Sequence, residues 1–450
     1  MSRAKTKIIA TYGPAIEHGG VLEKAAMHAD IFRINFSHGS LAEWNAAIDN
    51  IRDAAALQEK DIAILADLPG PKLRLGRIGE GIDVKKGEVV RFRYGRERSG
   101  YIPLEQDIRR YLGKGSVIVL GDGYMSFVVT GFGDGIEARA INSGKVMGRK
   151  GINIRKGHVT AAPPTSEDIK LALFAKKRSL DYIGISFVRS ADNISKLRKA
   201  VGGAFIVAKI ERAEAIRNIG EIAMEADALM VARGDLAFEV PVETIPVLQS
   251  KIIRAGNAAL KPVIVATQML ASMVNSPMPT RAEVNDIATA VTSGADCVML
   301  SEETAVGKYP IESLKVLAAT AASAESIAIG RNDFKIRGIS DSIAFAAAEI
   351  ADNYRTECIF APTQTGSTAK KLSALRPRSR IIALSRYDSV RRMLSLYWGV
   401  RSRRIDKYDT VDRMLNKVKE IASREGMKRY IVVSGSPNRA GTTNTLKYMD

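Results

Sequence analysis

Short, β-branched and nearly uninterrupted apolar runs recur through the first two-thirds of the chain. They fall at residues 7–13, 30–36, 61–68, 181–188, 205–210, 228–231, 261–266 and 296–300. A strand that alternates apolar with polar residues has one dry face, whereas a strand apolar throughout is covered on both, as in parallel sheets. Between most of these runs lie stretches with apolar positions at helical spacing, such as 41–58 and 243–259. Eight such strands with helical crossovers predict a (β/α)8 TIM barrel rather than an open doubly wound sheet. On that fold, chemistry sits just past the C-terminal end of each strand.

The alternation breaks once. From residue 71 to about 155 the chain becomes Gly-rich, with short alternating segments at 89–94, 117–120, 127–130 and 136–141. Turns such as Gly121-Asp122-Gly123 separate them, which predicts an inserted all-β lid domain. After Gly330 a βα pattern restarts, with a helix at 340–352 and strands at 358–361, 381–384 and 430–433. The expected organisation is a catalytic barrel (1–70 and 156–330), a β insertion (71–155) and a C-terminal α/β regulatory domain (331–450).

Composition narrows the class. The chain has 450 residues, 46% hydrophobic and 26% charged, as a folded globular protein should. Two cysteines, Cys297 and Cys358, cannot build a disulfide framework, and the run before Tyr12-Gly13-Pro14 is too short for a signal peptide. No segment reaches the ~18 consecutive apolar residues of a membrane span. These readings predict a cytoplasmic protein with no membrane partner.

Charge is the outlier, with 67 Lys+Arg against 49 Asp+Glu, a balance of +18. Residues 331–450 hold 24 basic and 12 acidic side chains, so two-thirds of the excess lies there. Polyanions are the expected partners, either nucleic acid or phosphorylated small molecules. Aromatics are only 6% and no basic stripe is interleaved with them, so nucleic acid is not expected. The excess, in runs such as Arg376-Pro377-Arg378, Arg391-Arg392 and Arg401–Arg404, is read as an anion-attracting C-terminal domain.

The strand ends carry the chemistry. They read Arg33-Ile34-Asn35-Phe36-Ser37-His38, Asp67, Ser186-Phe187, Lys209-Ile210-Glu211, Arg233-Gly234-Asp235, Thr267-Gln268 and Ser301-Glu302-Glu303-Thr304. Alternation along a strand would place Arg33 with Asn35, Lys209 with Glu211, and Arg233 with Asp235. Glu211 and Asp235 offer hard oxygens for Mg²⁺ or Mn²⁺, which combine one or two carboxylates with phosphate and water. Lysine and arginine beside them suit a phosphoryl group. The backbone at Gly234 suits an anion, and the hydroxyls of Thr267 and Ser301 suit proton delivery to an enolate.

The strings Ile31-Phe32-Arg33-Ile34-Asn35-Phe36-Ser37-His38-Gly39, Ala208-Lys209-Ile210-Glu211 and Met230-Val231-Ala232-Arg233-Gly234-Asp235-Leu236 resemble pyruvate kinases. So do Ala266-Thr267-Gln268-Met269-Leu270, Thr280-Arg281-Ala282-Glu283-Val284 and the run from Gly294 to Ser301. The likeness spans nearly the whole chain, in order. It implies Mg²⁺-dependent transfer of the phosphoryl group of phosphoenolpyruvate to ADP, giving ATP and pyruvate. By resemblance, Lys209 stabilises the transferring phosphoryl group, Arg33 contacts it, and Glu211 with Asp235 binds the divalent ion. Gly234, Asp235 and Thr267 hold the substrate carboxylate, and Thr267 and Ser301 serve protonation. Asn35, Phe36, Ser37, His38, Arg74 and Lys150 fall on the nucleotide side. The resemblance also suggests a homotetramer.

Three departures stand out. The family's K⁺ pocket maps onto Asn35, Ser37, Asp67 and Leu68, the last where Thr is common, and Lys72 stands where many members carry Glu. Its ammonium is expected to replace K⁺, making the monovalent cation dispensable. Ile154-Arg155 lacks the usual proline of the lid hinge, and Glu302 stands where Gly is frequent. In the C-terminal domain, Thr363, Thr365, Gly366, Ser367 and Thr368 form a hydroxyl-rich loop before a helix carrying Lys370 and Lys371. This predicts a site for a phosphorylated effector. The rival reading is another phosphoenolpyruvate/pyruvate barrel enzyme, such as a metal-dependent aldolase acting through a pyruvate enolate.

Overall fold

Eight parallel strands close on one another in chain order: β1 (Lys7–Thr11), β2 (Ile31–Asn35), β3 (Ala63–Asp67), β4 (Tyr182–Ile185), β5 (Phe205–Ile210), β6 (Ala228–Ala232), β7 (Val263–Ala266) and β8 (Cys297–Leu300). This is the TIM barrel expected from the apolar runs. The computed structural model describes residues 4–71, 73–95, 98–121, 123–155, 162–327, 334–435 and 443–450. Every residue of β1, β3, β4, β6, β7 and β8 is buried, which explains the lack of alternation. Along β3, Ala63 and Leu65 pack in the barrel interior while Ile64 and Ala66 join the core under the outer helices.

The N-terminal rim of the barrel is stitched by aspartates. The carboxylates of Asp30, Asp181, Asp227 and Asp296, each ahead of an even-numbered strand, accept backbone N–H groups of the preceding strand. These are Ile8 at 3.0 Å, Ile64 at 2.8 Å, Ile206 at 2.9 Å and Val263 at 2.9 Å. An N–H near the start of a strand would otherwise be a buried orphan, so each carboxylate fixes register at the closed end.

Between β3 and β4 lies the expected β insertion, a seven-stranded sheet from Leu73–Arg74 to Gly151–Arg155 with a separate two-stranded pair. Strands Val89–Tyr94 and Val117–Leu120 match the sequence reading, and Met125–Phe132 runs longer. Phe92 and Phe127 meet edge to face at 5.2 Å in its own core.

The C-terminal region forms a five-stranded sheet ordered β11-β10-β9-β12-β13, from β9 (Cys358–Pro362), β10 (Arg380–Leu384), β11 (Val400–Arg403), β12 (Tyr430–Gly435) and β13 (Thr443–Met449). Only β13 runs antiparallel. The two strands absent from the sequence reading, β11 and β13, are the edges. Val400-Arg401-Ser402-Arg403 reads as a charge run, and β13 buries only Thr443, so neither shows an apolar signature.

This domain closes the N-terminal end of the barrel, its apolar residues merging with the barrel interior into one core. The Tyr182 hydroxyl donates to the Met393 carbonyl. Arg376 pairs with Asp296 at 3.0 Å, Arg391 with Asp61 at 2.9 Å and Arg392 with Asp181 at 2.7 Å. The expectation that Arg376, Arg391 and Arg392 serve an anion-attracting face is thereby corrected. They neutralise the acidic rim of the barrel, so part of the basic excess is internal. Among the described residues no helix is long and apolar enough to cross a membrane.

Candidate active site

At the open end of the barrel, Lys209 is the hub. It is the penultimate residue of β5, and its ammonium lies 2.9 Å from Asp67 Oδ1, 3.0 Å from Glu211 Oε1 and 2.8 Å from Ser186 Oγ. The Ser186 hydroxyl donates onward to the Leu68 carbonyl at 2.7 Å. Asp67 ends β3 and uses its other oxygen for Arg33, which approaches through Nε at 2.7 Å and Nη2 at 2.5 Å. The Arg33 Nη1 donates to Thr11 Oγ1 at 3.2 Å. Strands β2, β3 and β5 thus present two cations around one carboxylate.

Burial sets the electrostatics. Asp67 is 2% exposed and Glu211 1% exposed. Burial alone would raise the Asp67 carboxyl, but Lys209 and Arg33 override it and hold it below the usual carboxylate range. Burial likewise opposes the charged form of Lys209, yet Asp67 and Glu211 keep the amine above its ordinary value. Glu211 goes the other way: burial, with Asp235 nearby, pushes it up to about 7 against the pull of Lys209. A carboxylate in that state gains from a second cation, the environment a divalent ion supplies.

Glu211 and Asp235 share a cleft of about 400 Å³ with Phe187, Arg212 and Glu239 from the barrel and Pro71, Leu73 and the 152–154 segment from the insertion. Two carboxylates in one cleft fit Mg²⁺ or Mn²⁺ in donor type and number. Glu211 is fixed by the Phe187 N–H, which donates to its Oε2 at 2.6 Å. That bond replaces a ladder contact, so β4 stops at Ile185 rather than reaching Val188, and Phe187 turns with φ of 58°.

The expected pairing of Arg233 with Asp235 on one strand face is corrected. A helix, Arg233–Glu239, starts where β6 ends, and two helical residues project about 200° apart. Asp235 therefore faces the cleft, while Arg233 turns toward β7. It donates to the Thr267 carbonyl at 2.5 Å and the Gln268 carbonyl at 3.2 Å, and pairs with Asp286 at 2.5 Å. Thr267 and Gln268 hold left-handed φ values of 68° and 52°. Consecutive non-glycine residues there are strained, and the guanidinium fork holds that turn in place. Thr267 Oγ1 accepts the Gly234 N–H at 2.8 Å.

Ser301, at the end of β8, is positioned by a residue the sequence reading passed over. The buried Glu303 carboxylate accepts the Ser301 N–H at 2.7 Å and the Leu270 N–H at 3.0 Å, tying the ends of β7 and β8 together. Glu302 is exposed. A short helix, Glu302–Ala305, buries Glu303 and Thr304 and leaves Glu302 outside.

Sequence comparison now bears on this geometry. The family model for the pyruvate kinase barrel domain matches residues 3–314, and that for the pyruvate kinase alpha/beta domain matches 341–449. The chain belongs to the pyruvate kinase family. It is 36% identical to the pyruvate kinase of Thermococcus litoralis, with 98% of each chain covered. Identity is 35% to one from Agrobacterium vitis, covering 98% of this chain and 96% of that one. It is 33% to the pyruvate kinase of Thermotoga maritima, with 99% of each covered. The chain is accordingly a phosphotransferase of this family, and the aldolase alternative is not favoured.

The remaining positions that resemblance to pyruvate kinases singled out divide into two groups. Arg74 and Lys150 meet at the base of the insertion, where Leu73–Arg74 pairs with Gly151–Arg155 and Arg74 reaches the Arg149 carbonyl at 3.3 Å. Asn35 ends β2 and Ser37 and His38 lie on the loop after it, where Asn35 Oδ1 accepts the Ser37 N–H at 3.1 Å. Phe36 differs: its ring is buried, stacked on Trp44 at 4.6 Å, so its side chain belongs to the core and only its backbone faces the loop. Lys72 lies outside the described residues.

In the C-terminal loop, Thr363 Oγ1 accepts the Gly366 N–H at 2.9 Å, and Thr368 shares a 2.7 Å hydrogen bond with Thr443. Thr365 is exposed and Ser367 half-buried. Of the polar loop Ser434–Thr445, expected from the sequence to face this one, residues 436–442 lie outside the described residues. The two lysines expected to support this loop do not. Lys371 pairs with Asp341 at 2.6 Å, and Lys370 leans away, over the rings of Phe205 and Tyr397.

Proposed function

We propose that the cleft at the barrel mouth transfers the phosphoryl group of phosphoenolpyruvate to ADP and then protonates the enolpyruvate formed. The observation that carries this reading is the Lys209 ammonium, fixed by Asp67, Glu211 and Ser186 beside a cleft that Asp235 also lines. Phosphoryl transfer leaves little covalent work to the protein, so aligned cations do most of what catalysis requires. Lys209 and Arg33 supply them. Glu211 and Asp235 hold Mg²⁺ or Mn²⁺, which when bound neutralises phosphate and carboxylate oxygens. The Gly234–Asp235 backbone and Thr267 receive the substrate carboxylate, which requires the Gly234 N–H to exchange Thr267 Oγ1 for substrate. Thr267 and Ser301 serve protonation, while Asn35, Ser37, His38, Arg74 and Lys150 face the nucleotide. The 71–155 insertion acts as a lid over the site.

A coupled assay of pyruvate formation with Mg²⁺ tests the assignment. Lys209→Ala should nearly abolish phosphoryl transfer, whereas Thr267→Ala should chiefly slow enolpyruvate protonation. Equal and mild effects of both would refute it.

Pyruvate kinases in general use a divalent and a monovalent cation. Here three of the four K⁺-pocket residues already have protein partners: Asp67 has Lys209 and Arg33, Asn35 has the Ser37 N–H, and the Leu68 carbonyl has Ser186. Those partners support the reading that turnover needs no K⁺, with Lys72 supplying the charge. A strong rise in rate when K⁺ replaces a bulky inert cation at equal ionic strength would sink it. A phosphorylated effector at Thr363–Thr368, a homotetramer and a cytoplasmic location complete the reading. Unchanged kinetics with sugar phosphates and nucleotides would remove the effector from it.

A further inference from the structure

The seam between the closed end of the barrel and the C-terminal domain contains a small pocket that is half open to solvent. The barrel contributes Asn257, Lys261 and Asp296, and the C-terminal domain contributes Lys370, Ser373 and Tyr397. It lies at the opposite end of the barrel from Lys209 and Glu211, and its lysine comes from the effector-loop helix Ser367–Ala374 but faces away from that loop.

The charges around it do not balance. Asp296 is committed to Arg376 at 3.0 Å and to the Val263 N–H. Asp227, the other nearby carboxylate, is committed to Arg198 at 3.0 Å and to the Ile206 N–H. Lys261 reaches only backbone carbonyls, the nearer being Ala226 at 2.5 Å. Lys370 sits over Phe205 and Tyr397 at 5.3 Å from each ring centre and, among the described residues, has no oxygen within hydrogen-bond distance. Ring faces attract an ammonium but accept none of its three N–H donors in the way an oxygen would. Tyr397 stays a neutral phenol, because burial pushes it up.

We propose that this pocket is a second anion site, taking a phosphate-class oxyanion, either free phosphate or a compact phosphomonoester, between Lys370 and Lys261. Such a ligand would satisfy the Lys370 donors and neutralise two cations at once. Because one lysine belongs to each domain, it would also join the barrel to the C-terminal domain. Burial depresses both amines, Lys370 to about 8, so Lys370 is still largely cationic at neutral pH while remaining reactive toward acylating reagents.

The test is residue-resolved amine acylation of the full chain, read by peptide mass spectrometry, with inorganic phosphate titrated against chloride at constant ionic strength. Occupancy should protect Lys370 and Lys261 saturably, by about tenfold at ten times the midpoint concentration. The exposed Lys419 should be unaffected. Lys370→Met keeps an apolar stem over the two rings and should abolish the phosphate-dependent protection of Lys261. A parallel titration with glycerol phosphate separates the sources: protection by only one of the two ligands assigns the site to that one. Equal labelling of Lys370 with both ligands and with chloride overturns the proposal, and the wild-type measurement decides this even if the variant does not fold. A positive result for an inactive Lys209→Ala chain would still stand, so the outcome is independent of the assignment at the barrel mouth.

Discussion

Lys209 and Asp67 meet at 2.9 Å across the barrel mouth, and the same carboxylate binds Arg33 through its other oxygen. Asp67 therefore sets the separation of the two cations proposed to flank the phosphoryl group. Asp67→Asn keeps the shape but offers only one acceptor oxygen, so one cation is released. The expected outcome is a fall in kcat of about a hundredfold or more, judged from the cost of misplacing a positioned group. Pyruvate formation measured beside the thermal transition checks it. A folded variant with near-normal kcat would show that Asp67 does not position the pair.

Arg233 gives a second case. Its fork spans the carbonyls of Thr267 and Gln268, both left-handed, and Asp286 anchors its far side. A lysine could keep the Asp286 pair but not grip two carbonyls with one fixed plane. Arg233→Lys should lower kcat by up to about a hundredfold. The loss should fall more on proton exchange at the methyl carbon of pyruvate than on KM for phosphoenolpyruvate. Equal changes in both would point to a general loss of structure.

The barrel was legible because strands buried on both faces leave uninterrupted apolar runs, and strand ends leave polar residues at a fixed offset. Lys209 with Glu211, and Arg33 with Asp67, could be placed at the rim from that offset alone. Arg233 and Asp235 could not be oriented, since the step from strand to helix period falls between Ala232 and Arg233 and leaves no mark in composition. Glu303 was hidden beside Glu302: two adjacent carboxylates look alike until a helix buries one. The edge strands β11 and β13 carry little apolar signal. The arginines that read as a ligand-attracting surface turned out to face aspartates 80 or more positions away along the chain, as with Arg376 and Asp296, 80 apart, and Arg392 and Asp181, 211 apart. Long-range pairing of this kind has no local signature.

The two thiols should be inert in the folded chain. Cys297 lies in β8 with its Sγ 3.1 Å from the Leu396 carbonyl, and burial pushes its thiol well up. Cys358 opens β9, and burial with nearby Glu357 pushes it up to about 12. A raised thiol value means less thiolate at a given pH, and thiolate is the reactive form. A colorimetric thiol reagent at pH 8 should therefore titrate neither cysteine in the native chain and both after denaturation. Rapid reaction of a folded chain would contradict that burial.

The seam supplies the sharpest stability test. Arg376 and Asp296 are 2% and 8% exposed in their side chains, and the guanidinium also donates to the Gly294 carbonyl at 2.6 Å. Removing the cation leaves Asp296 buried and charged, so Arg376→Met should destabilise the chain by about 3–5 kcal/mol. Asp296→Asn should cost less, because the amide oxygen can still accept the Val263 N–H without needing a cation. The double variant should recover much of the loss, giving strong non-additivity. The pH dependence has a definite sign. Burial already raises the Asp296 carboxyl, with Arg376 opposing it, so loss of Arg376 raises it further. A carboxyl that binds its proton more tightly folded than unfolded loses stability as pH rises from the unfolded value of about 3.9 through the folded one. Lowering the pH within that window should thus stabilise Arg376→Met relative to the wild type, as read by thermal denaturation. A stability gap that stays constant or widens on acidification would show that Asp296 is not the charge left stranded.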